Sequence, residues 1–553
     1  MVTTATRPRT RGEAPRHTGR DGSTRTGTGT LVRFMLRRDR VKLPLWVGGL
    51  GLFVVYLGTA FPVIAPTEQD LRAVSPLVQQ PVGRMFTGPG YGMEDPTYER
   101  FFAAGYVPYL VLLAALMNIM LIARHTRLEE QTGRSELVRA NVTGRHAPLT
   151  AALVVAVVAN LAATVVVAAM AMAYGFAPTG SWLVGAQTGL VGMAFAGLTA
   201  VTVQLSENSR AAAGMAGIVL GVSWALRAVG DMAQLGGSAL SWASPLGWAA
   251  QTAPYVLDRW WPLLPLVAVA AVGVAVAFVL QSRRDFGAGL MPQRAGRPEA
   301  GPGLGSPFGV AVRLQRGAVI AWGAAILLLG VIDGAFAQVM LDTADELPPA
   351  IREMFGAEQM LNGYLAFLAL FSGYVAAAYV VFAVQTVRSE ELHGRAELLL
   401  ATPVSRTAWA GAHYLAIAAG LVLMMVVSGV GTGIAAGAAT GDWSLVWSLT
   451  LAHLNAVPPV LVVLGLGALL FGWVPQLLAP VGWALVGLVI FVGNFGEMMD
   501  LPGWVMQLSP LSHVAQMPVE DFAVTPVLVL TVIAAVGVVL GLVGLRRRAI
   551  LTR

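Results

Sequence analysis

The residues with the clearest chemical capacity are carboxylates and guanidinium groups set close together in two charged stretches. These are RLEEQTGRSELVRANVTGR at residues 127–145 and RSEELHGRAELLLATPVSR at residues 388–406, which align without a gap. Nine of nineteen positions are identical: Arg127/Arg388, Glu129/Glu390, Glu130/Glu391, Gly133/Gly394, Arg134/Arg395, Glu136/Glu397, Leu137/Leu398, Ala140/Ala401 and Arg145/Arg406. Glu130 to Arg134 and Glu391 to Arg395 stand four apart with the acid on the N-terminal side, the favourable order for ion pairs on a helix. Gly133 and Gly394 offer a place to break such a helix, and Glu136-Leu137 and Glu397-Leu398 begin a second short segment. Arginines alone would fit a loop that only sets topology. The paired glutamates and their repetition point to contact with a soluble partner.

The elements that must position these stretches are apolar. Of 553 residues 56% are hydrophobic and only 12% charged, with a mean hydropathy of +0.67. A soluble chain would carry about a quarter charged residues, so this is a polytopic membrane protein. At about 20 apolar residues per span, twelve spans fall near 44–64, 102–123, 148–173, 181–204, 211–232, 262–281, 318–340, 362–386, 407–433, 446–472, 475–495 and 524–545. Each charged stretch is an island between two of them.

Basic residues concentrate on the cytoplasmic side. With the N-terminus inside, 30 of the 36 basic residues are cytoplasmic, among them Arg283, Arg284, Arg294, Arg297 and Arg546–Arg548. Arg72, Arg84, Arg100, Arg227, Arg259 and Arg352 are left outside. Both termini and both charged stretches then face the cytoplasm, and the net charge of +6 needs no nucleic-acid partner.

Twelve spans with one repeat make two six-span halves of the same orientation. Residues 1–29 are too polar to bury a core and read as a disordered cytoplasmic tail. Residues 30–281 form the first half, 282–306 a Gly-, Pro- and Arg-rich cytoplasmic linker, and 307–553 the second half. Residues 30–43 space Leu31, Phe34 and Met35 against Arg33, Arg37 and Arg40, as an interfacial helix does; 307–318 is its expected counterpart. Two further echoes support duplication. SWASPLGWAAQ at 241–251 matches QLSPLSHVAQ at 507–516 through Ser-Pro-Leu, and Arg84-Met85-Phe86 matches Glu353-Met354-Phe355.

Several chemistries are excluded. Without cysteine there is no disulfide, thiol catalysis or thiolate metal site. The single lysine, Lys42, has no glycine-rich loop before it, so there is no Walker-type nucleotide site. No His/Asp/Glu cluster has metal spacing and no nucleophile–base pair is evident, so the chain reads as a non-enzyme with no metal site.

The Glu-Glu, Gly-Arg, Glu-Leu pattern, followed in the second copy by Ala401-Thr402-Pro403-Val404-Ser405-Arg406, resembles the cytoplasmic loop after span two in type-2 ABC exporter permeases. The Ser-Pro-Leu segments look like that family too. The fused twelve-span form is similar to actinobacterial permeases of polyketide-antibiotic (tetronasin-type) and multidrug exporters. The first copy departs from the pattern, with Asn141-Val142-Thr143 where the second has Thr402-Pro403-Val404. The resemblance implies an all-α permease in the bacterial cell membrane, working with two copies of a separate ATP-binding subunit that holds the ATP and Mg. It implies docking of that subunit through Glu129, Glu130, Gly133, Arg134 and Glu136, and through Glu390, Glu391, Gly394, Arg395 and Glu397. Hydrophobic substrates such as drugs and antibiotics would pass along spans two and five of each half.

Polar residues inside spans call for a functional reading. Arg227 and Asp231, four apart, read as a snorkelling ion pair near the outer interface. His453 reads as a packing histidine. Asn118, Trp224, Phe367 and Asn494 are the candidate substrate-cavity residues, with Met117, Met215 and Phe371 as further apolar lining. Asp333 is the one acid well inside a span. It keeps open an alternative, a proton-coupled drug antiporter of the major facilitator class.

Overall fold

The computed structural model describes residues 24–549 apart from 135, 137–142, 292–295, 297, 343–359, 497, 498 and 500. Leu137, Ala140, Asn141 and Val142 of the first repeat, Arg294 and Arg297 of the linker, Arg352, the Glu353-Met354-Phe355 echo and residues 1–23 lie outside the described residues. Among the described residues there is no strand. Among the same residues twelve helices are long and apolar enough to cross a membrane, and an all-α polytopic architecture follows. They are Lys42–Ile64, Val107–Gln131, Ala147–Ala173, Pro178–Leu205, Ser209–Ala233, Trp261–Arg283, Pro307–Asp342, Met360–Leu392, Arg406–Thr440, Ser444–Trp473, Pro475–Asn494 and Val524–Arg547, spans one to twelve. In a bilayer every backbone N–H and C=O must be paired within the segment, which is why these apolar runs are helical.

By internal contacts the chain forms two compact units, one of Met1–Pro62 with Arg84–Gln293 and the other of Val63–Gly83 with Arg294–Arg553. In the first unit, spans four and six meet at Gly197 and Gly273. A methyl group on Gly197 would stand 2.8 Å from the Ala270 carbonyl, so only glycine permits that approach. Span ten meets span twelve the same way in the second unit, at Gly465 and Gly537.

The charged stretches are reached by continuing span two past its apolar length. Val107–Gln131 includes a π-helical turn at Arg124–Leu128, and Met360–Leu392 is one unbroken α-helix. Both stop just before a glycine in the left-handed region, Gly133 at φ 71° and Gly394 at φ 70°, a conformation that favours glycine.

The two units differ at their first spans. Thr28–Arg38 is a separate helix, beginning two residues earlier than its sequence pattern suggests because Gly27 turns the chain at φ 84° and Thr28 Oγ1 donates to the Arg25 carbonyl. It ends at Asp39, and the chain turns before span one. Asp39 is buried and held by Arg124 and His125 from the end of span two. The expected counterpart at 307–318 is not a separate helix: Pro307–Ala335 is continuous. The second unit's span two carries Gln385 and Thr386 where the first has Arg124 and His125. The two charged groups that hold the turn in the first unit are therefore replaced by neutral ones at the matching positions.

Candidate coupling site

Each charged stretch divides into residues turned into its own unit and residues left exposed. In the first unit, the Glu130 carboxylate accepts two hydrogen bonds from Arg284, Nη2 to Oε1 at 2.7 Å and Nη1 to Oε2 at 3.0 Å. Arg127 Nη1 donates to the same carboxylate at 2.8 Å. The Arg127 side chain is 1% exposed; its Nε and Nη2 donate to the Val203 carbonyl at 2.9 and 2.6 Å, and Nη1 and Nη2 each reach the Ala288 carbonyl at 3.2 Å. Arg145, the last residue of the repeat, donates to the Arg284 carbonyl at 3.0 Å.

The second unit repeats this latch with different residues. Arg548 grips the Glu391 carboxylate through Nη1 to Oε1 at 2.5 Å and Nη2 to Oε2 at 2.6 Å. Arg406, the match of Arg145, donates to the Arg548 carbonyl at 2.8 Å. Arg284 and Arg548 are each the residue directly after the last span of their unit. The end of span two is thus tied to the end of span six, and the end of span eight to the end of span twelve, by a two-pronged carboxylate–guanidinium pair, the strong and geometrically specific form of ion pair.

The expected Glu130–Arg134 and Glu391–Arg395 pairs do not form, because the left-handed glycine between the partners removes them from one helical face. Arg395 folds back on Glu390 instead, Nε to Oε2 at 2.9 Å and Nη2 to Oε1 at 2.7 Å. Those hydrogen bonds raise its pKa above the usual guanidinium value. Glu129 pairs with Arg38 of the separate N-terminal helix. Of the ten coupling residues expected, Glu129, Glu130, Glu390 and Glu391 face inward, and Gly133 and Gly394 make the turns. Arg134, Glu136, Arg395 and Glu397 are exposed. After Gly394 a short helix, Arg395–Leu400, presents Leu398 at 75% exposure, with Leu392 also exposed before the turn.

Sequence reasoning missed Arg284 and Arg548 as partners. The available signal was that both stand at the same place, one residue past the sixth span of their half. As basic flanks they read only as topology signals.

Of the four cavity candidates, Asn118 and Trp224 belong to the first unit and Phe367 and Asn494 to the second. Asn118 of span two is fully buried and shares reciprocal amide hydrogen bonds with Asn160 of span three, at 3.0 and 2.8 Å. Trp224 lies 5.4 Å from the Tyr109 ring and 4.2 Å from the Arg227 guanidinium carbon. Phe367 stands 6.3 Å from Phe371, and Asn494 is half-buried with Nδ2 donating to the Ile490 carbonyl at 2.7 Å.

Arg227 and Asp231 are an ion pair but not a snorkelling one, since both are fully buried. Arg227 donates to the Met85 carbonyl, Ser241 donates to Asp231, and Arg84 donates to the Asp231 and Met232 carbonyls. Burial lowers the Arg84 pKa, against the pull of Asp231. The group fastens the segment that carries Arg84 and Met85, and Ser241 just before Ser-Pro-Leu, to span five. His453 is fully buried with Nδ1 2.8 Å from the Leu449 carbonyl, and the Asp333 carbonyl accepts from Tyr364 at 2.8 Å.

Twelve apolar helices among the described residues, six in each unit, with paired charged elbows define a multi-pass membrane protein. The chain belongs to the family described as "Multidrug efflux system permease Rv1217c, C-terminal domain", matching it over residues 29–280 and 304–546. It is 35% identical over 546 residues to the multidrug efflux system permease protein Rv1217c of Mycobacterium tuberculosis (strain ATCC 25618 / H37Rv), covering 95% of this chain and 96% of the relative.

Proposed function

We propose that this chain is the transmembrane subunit of an ATP-driven ABC exporter of type-2, tetronasin-like organisation, moving hydrophobic or amphipathic compounds such as drugs and antibiotics out of a bacterial cell. ATP and Mg are held by two copies of a separate ATP-binding subunit. The chain lies in the cell membrane with its charged stretches and both termini in the cytoplasm, in keeping with the arginine distribution. The relative's description as an efflux permease supports the direction of transport.

The observation that carries this reading is the division of labour within each repeat. One carboxylate, Glu130 or Glu391, is latched to the end of the unit's last span. The residues after the glycine turn stay exposed. A push on the exposed part passes through the latch into two spans at once, which is what transmission from a soluble motor requires. In this reading Arg134, Glu136, Arg395, Glu397 and Leu398 meet the ATP-binding subunit, while Glu130 and Glu391 carry its force.

The test is co-expression with a candidate Walker-motif ATPase, purification of the complex, and ATP hydrolysis in lipid. A complex of one chain with two ATPase copies, stimulated by hydrophobic drugs, is the expected result. A chain that purifies alone and moves drug in response to a pH gradient would overturn it in favour of a proton antiporter.

A further inference from the structure

The two charged stretches match in sequence, but the polar ties that fix the helix end before each glycine turn do not. In the first unit the last turns of span two are held from several segments. The N-terminal helix holds them through Arg38 on Glu129 and through Asp39 on Arg124 and His125. Span four supplies the Val203 carbonyl, which takes both Nε and Nη2 of Arg127. Ser209 at the start of span five donates its backbone N–H to Gln131 Oε1 at 3.2 Å. The segment after span six adds Arg284 on Glu130 and the Gly287 and Ala288 carbonyls on Arg127. Gln204, at the end of span four, braces that arginine, its Oε1 accepting from Arg284 Nε at 2.6 Å.

At the matching positions the second unit lacks these ties. Gln385 and Thr386, opposite Arg124 and His125, donate to the Val381 and Phe382 carbonyls of their own helix. Arg388, opposite the buried Arg127, makes no hydrogen bond or ion pair with another described residue. Exposed Leu392 stands where Gln131 receives Ser209, and Glu390 takes Arg395 of its own repeat. The brace is missing for a steric reason. Gly197 and Gly465 are the equivalent glycines that meet the last span of each unit, and seven residues after them stand Gln204 and Gly472. A methyl on Gly472 would stand 2.1 Å from the Gly541 carbonyl oxygen, so the close approach of spans ten and twelve excludes an amide there. Beyond the turn, Ala396, Leu399, Leu400 and Val404 rest on the apolar core of the unit. Apolar contact is non-directional and lets a segment shift where hydrogen bonds to fixed carbonyls resist it.

We propose that the two elbows are unequal mechanical parts. Arg127, Gln131 and Gln204 are positioning residues that fix the end of span two within its unit, whereas the end of span eight pivots about the Glu391–Arg548 pair. The consequence for transport rests on the exporter reading: the second elbow makes the larger stroke, and the first is the fixed bearing. The difference in fixation does not depend on that reading.

The test is amide hydrogen exchange, read by peptide mass over minutes to hours, on the purified full chain in lipid without any ATPase. One hydrogen bond is worth about fivefold in a local opening equilibrium. With several ties missing, residues 385–394 should exchange at least about tenfold faster than residues 124–133. Arg127→Gln should bring 124–133 to within about threefold of 385–394 and leave the latter unchanged. Arg127→Lys, which keeps the charge beside Glu130 but not the fork on the Val203 carbonyl, should fall between. Gln131→Leu copies Leu392 at an exposed position and serves if the Arg127 variants fail to fold; it should speed exchange at 124–133 by about threefold. Equal exchange in the two segments, or a change of both alike in the variants, would overturn the proposal. Because no ATPase or transport is involved, that failure would leave the exporter reading standing. A chain that moves drug without an ATPase would instead overturn the exporter reading and leave the exchange difference in place.

Discussion

Glu391 and Arg548 lie 157 residues apart in sequence and meet through two hydrogen bonds, each carboxylate oxygen taking one guanidinium nitrogen. Their side chains are only 4% and 14% exposed, and the Arg548 guanidinium carbon also stands 5.0 Å from the Phe471 ring. A buried charge left alone is far costlier than a buried pair replaced whole. Arg548→Met should therefore destabilise the chain by about 3–5 kcal/mol, and Glu391→Leu combined with it should recover most of that loss. Thermal unfolding of the two single variants and the double in detergent checks this. A double variant as unstable as the sum of the two singles would mean the pair adds nothing beyond its packing.

In the first unit the same latch carries an extra guanidinium, because Arg127 shares Glu130 with Arg284. Neutralising Glu130 leaves two positive groups facing each other. Glu130→Gln should thus lower the melting temperature more than Glu391→Gln does, with the difference shrinking at high salt for the partly exposed Glu130 site. A larger effect at Glu391 would show that Arg127 is held by the Val203 and Ala288 carbonyls rather than by the acid.

Substitutions on the exposed side of the turn should behave in the opposite way. Leu398→Asp and Glu397→Ala touch no buried partner, so stability should shift by no more than about 0.5 kcal/mol. Binding of the ATP-binding subunit and drug-stimulated ATP hydrolysis should fall at least about tenfold for Leu398→Asp, as for an apolar anchor at an interface. Unchanged affinity for the subunit would place the contact elsewhere.

The Asn118–Asn160 pair makes a prediction independent of transport. Asn118→Leu strands the Asn160 amide between spans two and three and should cost about 1–3 kcal/mol. Replacing both with leucine should cost less than either single change, provided the added volume is accommodated near Gly192, where a methyl would stand 2.0 Å from Asn160 Oδ1. Thermal unfolding of the double-mutant cycle decides it; a double variant as unstable as the sum of the singles would mean packing, not the hydrogen bonds, dominates.

What the sequence determined by itself is what each residue contributes singly or to its near neighbours. Runs of about 20 apolar residues give twelve helices, because lipid leaves the backbone no other partner. The match of residues 127–145 with 388–406 reveals the duplication, and Gly133 and Gly394 break the helix where their lack of a side chain permits it. What the fold alone decided is which charges face each other. The order Glu130 to Arg134 is favourable on a continuous helix, but the glycine turn cancels it, and the true partners, Arg284 and Arg548, come from 154 and 157 residues away. The continuous helix at Pro307–Ala335, where a separate interfacial helix was expected, has the same origin. The turn after Thr28–Arg38 is held by Asp39 against Arg124 and His125, a contact between distant stretches that no local pattern encodes. Hydrophobic periodicity is a property of one segment, whereas an ion pair belongs to two segments at once, and only the packed helices bring them together.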